Sequence, residues 1–345
     1  MRVSDLHIKV SVPPTYRIDG DLIKLKGAVV DSDMAERLIL PLLKGESTEK
    51  LDQGRSIDCS YRYGTLQFRI NIFRENDGLA AAIRALSLDI PDVEDLGFPN
   101  TIWQDIVNRK HGLVLLTGIT GAGKSTTIAS LINNIGEKRA NRIITIEDPI
   151  EYLLPQKHSV ISQREVGRDV SSFQQGLKEM MREDPDIIFV GEMRDAETIG
   201  MTLMAAETGH LVFSTLHTRD VTVTISRILD YFPAGRQAEV RSQLSLGLAY
   251  IVCQKLIPKK DGTGRLIAME ILNNNYACAN LIRTGKVEQI YTQLQTRTQE
   301  KSDQKMITLE RHMAQLVKQD RIDLPEAQKW ANNVKAFQDC MQREG

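Results

Sequence analysis

The run Gly118-Ile119-Thr120-Gly121-Ala122-Gly123-Lys124-Ser125 fits the spacing G-x-x-x-x-G-K-[ST], with Thr126 directly behind it. Glycines at these intervals let a backbone curl until successive N–H groups face one point, which suits the oxygens of a phosphate chain. A lysine at the end of such a loop reaches the β- and γ-phosphates of a nucleotide, and the hydroxyl after it ligates magnesium. Gly118, Thr120, Gly121, Ala122, Gly123, Lys124, Ser125 and Thr126 are therefore the candidate nucleotide contacts, and ATP with Mg²⁺ is the ligand they imply.

Carboxylates stand where hydrolysis would use them. The apolar run Ile187–Val190 ends in Gly191-Glu192, so Glu192 sits at the carboxyl end of an expected strand, where it can hold Mg²⁺ together with Ser125. Residues 142–146 deliver Glu147 and Asp148 in the same way, with Glu151 close behind and Pro149 fixing a turn between them. Glu147 is the first candidate for the base that orients and deprotonates an attacking water, and Glu192 is the second. A third run, residues 211–215, leads into Leu216-His217-Thr218, which places His217 to sense a γ-phosphate by hydrogen bonding. A lone histidine is as often a satisfied polar residue, so the residues alone leave both roles open.

Such side chains need strands to carry them. GLVLLT, RIITIE, DIIFVG and HLVFST are short apolar runs rich in β-branched residues, each followed by polar or helix-forming sequence. That pattern predicts a parallel α/β sheet covered on both faces, with a helix starting near Lys124. Beyond Phe232 the pattern turns mostly helical, and AEVRSQLSLGLAYIV and EAQKWANNVKAFQDCM are the clearest amphipathic stretches.

The first ninety residues predict a small α/β domain. LHIKVSV and TLQFRINIF alternate with period two, residues 34–43 look helical, and PPTYRIDGD carries turn chemistry. SLDIPDVEDLGFPN then breaks all periodicity and clusters acidic residues, as an interdomain linker does. The expected division is residues 1–97 for the N-terminal domain and linker and 98–345 for the nucleotide domain with its C-terminal helices.

Bulk composition narrows the class. A chain of 345 residues with 41% apolar and 26% charged residues suits two soluble globular domains. With 44 basic against 45 acidic residues and 5% aromatics, no global field or stacking surface favours nucleic acid, so no direct nucleic-acid partner is expected. The sequence holds no run of 18 apolar residues, and its first ten residues carry charges where a secretory segment would be apolar, so a cytoplasmic location is expected. Cys59, Cys253, Cys278 and Cys340 form no CxxC pair, which fits reduced thiols.

Taken in order, SDLHIKVSVPPTYRIDGD, GITGAGKSTT, IITIEDPIEY, QREVGRDVSSF, REDPDIIFVGEMRDAET, TGHLVFSTLHT and RILDYFP resemble one family. It is that of the hexameric secretion and type IV pilus ATPases, and within it the PilT-like retraction motors. The resemblance implies an N-terminal PAS-like domain joined to a RecA-like domain, a ring of six identical subunits, and hydrolysis driving pilus retraction. It also implies that Glu147, opening IEDPIE, activates water, and that arginines matching Arg69, Arg84 and Arg227 contact the nucleotide. Implied partners are an inner-membrane pilus platform protein and other pilus ATPases, with peripheral association at the inner face of the membrane.

Departures from the family pattern fall outside the nucleotide motifs. A retraction motor's AIRNLIR segment reads here as residues 277–283 with Ala279 in place of its internal arginine, and KSDQKMITLE replaces a glycine-containing segment at residues 301–310. The larger N-terminal region and the tetracysteine site of assembly and secretion relatives are missing. A motor for pilus assembly or a related secretion system is the alternative, and a DNA-translocating RecA-like ATPase is a more distant one.

Overall fold

The computed structural model describes residues 3–18, 21–43, 48–64, 66–86, 89–295 and 305–343. Contacts divide the chain into two compact units, Met1–Asp89 with Pro149–Leu153, and Ile90–Asp148 with Leu154–Gly345.

In the first unit, β1 (Val3–Ile8), β2 (Thr15–Ile18) and β3 (Asp21–Lys24) precede α1 (Ser32–Ile39) and the short α2 (Glu49–Asp52). Strands β4 (Ile57–Tyr63), β5 (Leu66–Glu75) and β6 (Gly78–Leu86) follow, and the six strands form one antiparallel sheet in the order β3-β2-β1-β6-β5-β4. Period-two alternation does the sorting: Ile70 and Ile72 of β5 turn into a core with Val30, Ala35, Ile39, Ile57 and Ala81, while Arg69 points the other way. The segment read as turn chemistry supplies a strand at residues 15–18, and the helical stretch at 34–43 is α1 followed by a 3₁₀ turn over Leu40–Leu43.

The second unit opens with a 3₁₀ turn at Val93–Leu96, whose Val93 and Leu96 are buried, so this part of the expected linker packs into the unit's interior. Next come α3 (Ile102–Asn108), β7 (Gly112–Thr117), α4 (Lys124–Lys138), β8 (Arg142–Glu147), β9 (Val160–Glu165), α5 (Phe173–Met180), β10 (Ile187–Val190), α6 (Ala196–Glu207), β11 (Leu211–Leu216), α7 (Val221–Asp230) and α8 (Ala234–Gly247). The chain ends with β12 (Leu248–Pro258), β13 (Arg265–Asn273), α9 (Tyr276–Arg283), α10 (Ile290–Gln295), α11 (Leu309–Lys318), α12 (Leu324–Trp330) and α13 (Val334–Arg343). Its sheet runs β13-β12-β7-β11-β10-β8-β9, parallel from β12 to β9 and antiparallel at β13. Every residue of β7, β10 and β11 is buried, as strands covered on both faces require. This is the RecA-like half of a two-domain α/β chain.

Two helical expectations are corrected. Residues 238–252 do not form one helix: α8 stops at Gly247, and the buried run that follows enters the sheet as β12, bonded to β7 on one side and β13 on the other. A fully buried apolar run carries no period that separates helix from strand, so the sheet's open edge decided the matter. Residues 326–341 likewise split into α12 and α13, because the Asn333 side chain accepts the N–H of Ala336 and starts a new helix. Of the altered segment at residues 301–310, residues 301–304 lie outside the described residues, and the rest leads into α11.

Candidate active site

Four motif-bearing strand ends meet at the carboxyl edge of the parallel sheet, because β7, β11, β10 and β8 are consecutive neighbours running the same way. In an open α/β sheet that edge is where ligands collect.

The glycine-rich loop leaves β7 at Gly118 and enters α4 at Lys124. Gly118, Gly121 and Gly123 have φ of 143°, 78° and 88°, which residues with a Cβ adopt only under strain. Close packing adds a second reason at Gly118, where a Cβ would stand 2.5 Å from the Gln254 carbonyl oxygen of β12. Gly123 caps α4 without a side-chain acceptor, so no cap side chain occupies the N-terminal end of the helix, the end that favours an anion. The buried Lys124 ammonium donates to the carbonyls of Gly118 at 2.9 Å and Ile119 at 3.1 Å, and it stands 3.4 Å from His217 Nδ1.

From His217 the polar contacts continue. Its Nε2 lies 3.3 Å from one oxygen of Glu192, whose other oxygen accepts from Arg194 Nε at 2.8 Å. Arg194 Nη1 is 3.7 Å from Asp148. Lys124, His217, Glu192, Arg194 and Asp148 thus form one chain of alternating charge and polarity across the ends of β7, β11, β10 and β8. The β10 and β11 ends are fixed to each other, since Thr215 Oγ1 donates to the Gly191 carbonyl at 2.6 Å and Ser214 Oγ donates to that of Val190 at 2.8 Å.

Glu147 is buried at the end of β8, where one carboxylate oxygen accepts from Thr145 Oγ1 at 2.7 Å and from Gln163 Nε2 at 3.1 Å. Gly191 stands beside it for a packing reason: a Cβ there would meet the Ile146 carbonyl oxygen at 3.2 Å and Glu147 Cα at 3.3 Å. A carboxylate in this strand therefore has to come one residue later, at Glu192.

The three candidate arginines belong to other elements. Arg69 and Arg84 are direct cross-strand partners on β5 and β6 of the first unit, with Arg84 Nε donating to Asp5 at 2.7 Å and Arg69 4.0 Å from Asp58. Arg227 is exposed in the last turn of α7, its guanidinium 5.0 Å from the Tyr231 ring.

A family model described as type II/IV secretion system protein matches residues 3–339. The chain belongs to that family. Among similar members, the type IV pilus retractation ATPase PilT of Pseudomonas aeruginosa is 42% identical over 294 residues, 85% of each chain. The twitching motility protein of Neisseria gonorrhoeae is 40% identical over 325 residues, 94% of this chain and 86% of that one. A crystal structure of the pilus retraction motor PilT with bound ADP matches at a TM-score of 0.89 and 42% identity, covering 98% of this chain and 95% of that one.

In this type II/IV secretion system protein, sequence reasoning overlooked Arg194, Gln163 and Gln254. Arg194 was visible inside GEMRD, but its link to Glu192 and Asp148 needs two neighbouring strand ends. Gln163 opens the segment QREVGRDVSSF, but its contact with Glu147 needs β9 to pair beside β8. Gln254 crowds Gly118 through its carbonyl and donates from its amide to Thr127 Oγ1 at 2.9 Å, a brace that exists only once residues 248–258 form a strand.

Proposed function

We propose that this chain is an ATP-hydrolysing motor subunit that drives type IV pilus retraction, the basis of twitching. One observation carries the reading. Residues 118–125, Glu147, Glu192 and His217 stand at the carboxyl ends of four adjacent strands, in a chain 42% identical over 85% of its length to a retractation ATPase.

ATP places its phosphates against the N–H groups of residues 118–125, and Lys124 exchanges two loop carbonyls for phosphate oxygens. Ser125 and Glu192 offer the oxygen ligands that suit a hard cation; they would hold Mg²⁺, which supplies positive charge to the β- and γ-phosphates. Glu147, fixed in direction by Thr145 and Gln163, takes a proton from the attacking water at a carboxylate oxygen. His217 bridges Lys124 and Glu192, so a change at the γ-phosphate reaches it from both sides. Arg69, Arg84 and Arg227 bring positive charge to the transferred group, a contribution worth about 10³ to 10⁵ in rate when an arginine arrives with a moving element.

Six copies form the ring that this mechanism serves, each firing as its N-terminal PAS-like domain closes on the nucleotide. The load is an inner-membrane pilus platform protein, with other pilus ATPases as further partners, and the ring docks peripherally at the inner membrane face. Among the described residues no helix is long and apolar enough to cross a membrane. Ala279 lies on α9 and on none of the strands that bear a motif, so the departure from AIRNLIR falls outside the residues assigned to hydrolysis.

Steady-state phosphate release tests the enzymatic half. The purified chain is expected to hydrolyse Mg-ATP, and Lys124→Ala to lose nearly all turnover; equal rates in the two overturn the assignment. Deletion in the native cell tests the direction of work: excess surface pili with lost twitching are expected, and an absence of pili would mark an assembly motor instead.

A further inference from the structure

Behind the site, at the edge of the same sheet, lies a polar cluster that hydrolysis does not use. Glu270 of β13 is 2% exposed, although a buried carboxylate is costly without strong partners. Its partners are two helix starts. One carboxylate oxygen accepts the N–H of Val221, the first residue of α7, at 2.8 Å, and the group faces the backbone N–H of Leu309, the first residue of α11. Both helix N-termini present partial positive charge to it, but burial outweighs them and pushes the carboxyl up to about 7. Helix α7 begins four residues after His217, and Thr218 Oγ1 is 2.6 Å from Thr224 Oγ1 within it, so the sensor loop and the helix start are one fastened piece.

From α11 onward the cluster holds the C-terminal helices. Glu310, 1% exposed, accepts the N–H of Asn333 at 2.9 Å and faces the Tyr291 hydroxyl of α10 at 3.3 Å. His312 Nδ1 accepts the N–H of Met269 at 3.0 Å, and Ile307 exchanges both backbone bonds with Ile271, so α11 and the residues before it close the edge of β13. Lys255 of β12 donates to the Trp330 carbonyl at 2.7 Å and to Asn332 Oδ1 at 2.6 Å. Asn332 returns to the sensor loop, donating to the Arg219 carbonyl at 3.4 Å. Residues 219 and 221 are therefore gripped from behind by β13 and by the α12–α13 junction.

We infer that Glu270 is a positioning residue that ties the His217 loop to the C-terminal helices, so that the nucleotide state read at His217 is transmitted to α11–α13. A purely structural filler in this pocket would not need an acceptor facing two helix starts at once. Glu270→Gln keeps the volume but puts an NH2 donor in place of one of the two acceptor oxygens between the helix starts. The proposal rests on the nucleotide reading of residues 118–125 and goes beyond it.

Amide hydrogen exchange of the full chain, with and without Mg-ADP, tests it. In the unaltered chain ADP is expected to change protection at residues 217–221 and also at 309–318. In Glu270→Gln, ADP affinity should stay within about twofold and the response at 217–221 should persist, while the response at 309–318 falls by more than half. ATP turnover should drop several-fold at a KM within about twofold, a split that general loosening would not produce. An equal response at 309–318 in both proteins, or none in the unaltered chain despite ADP binding, overturns the inference alone. Failure of the unaltered chain to bind ADP overturns the nucleotide reading with it. Should Glu270→Gln not fold, Asn332→Ala, at an exposed position of the same grip, is expected to halve the response at 309–318, and an undiminished response contradicts the proposal.

Discussion

Glu147 carries both of its described hydrogen bonds on one carboxylate oxygen, from Thr145 and Gln163. Glutamine at 147 can still accept from both neighbours but cannot take a proton from water. Glu147→Gln should therefore bind ADP within about twofold of the unaltered chain while turnover falls at least ~10-fold, as loss of a general base requires. Near-normal phosphate release would remove Glu147 from that role. Gly191 gives a complementary stability test. An aspartate there, the residue many phosphate-loop enzymes carry, would push its Cβ against the backbone of β8 at 3.2 and 3.3 Å, and backbone cannot swing aside as a side chain can. Gly191→Asp is expected to lose about 1–3 kcal/mol in denaturant unfolding, the range for forced overpacking. An unchanged midpoint would mean that β8 yields.

Elements orient these residues, and some can be tested through their ends. Helix α6, which follows Glu192 and Arg194, starts at Asp195, whose side chain accepts the N–H of Thr198 at 2.8 Å, the Thr198 hydroxyl at 2.8 Å and the Gln174 amide at 2.8 Å. Asp195→Ala should cost about 0.5–2 kcal/mol, the range for a lost N-cap, and a thermal melt would show it. The four strands β7, β8, β10 and β11 were legible because apolar runs bounded by motif residues leave little choice of element. The placement of Lys124, Ser125, Glu147, Glu192 and His217 beside strand exits was legible for the same reason, since a motif bounded by an apolar run fixes its position along the sheet edge. Strand β12 was not, because residues 248–252 continue a helical pattern and only pairing with β7 and β13 makes them extended. With β12 unseen, the Gln254 brace under Gly118 was unseen too. Contacts made across strands, such as Arg194 with Asp148, leave no mark along the chain. Nor does spacing say where Arg69, Arg84 and Arg227 stand with respect to a nucleotide.

At the scale of the whole molecule, two buried groups tie stability to pH in opposite senses. Burial pushes the Glu270 carboxyl up to about 7, against 4.5 ordinarily. The folded chain then holds that proton more tightly than the unfolded chain between pH 4.5 and 7, so this contribution is full below 4.5 and is lost as pH rises through 7. Burial also pushes the His312 imidazole down to about 4 from 6.5. Here the unfolded chain binds the proton more tightly, so stability is full above 6.5 and is lost as pH falls toward 4. The stability deficit of Glu270→Gln should therefore shrink between pH 5 and pH 8 in denaturant titrations, whereas a deficit that grew would reverse the assigned sign. Glu270 accepts from the start of α7 and His312 of α11 accepts from β13, so the same acid–base balance bears on how β13 holds these two helices.

The account depends most on the loop between β7 and α4, and calorimetric titration of the folded chain with Mg-ADP addresses it directly. Saturable binding is expected, weakened at least ~10-fold in Lys124→Ala, where the charge that meets the phosphates is gone. Absence of binding by the unaltered chain, or equal affinity in both proteins, would contradict it.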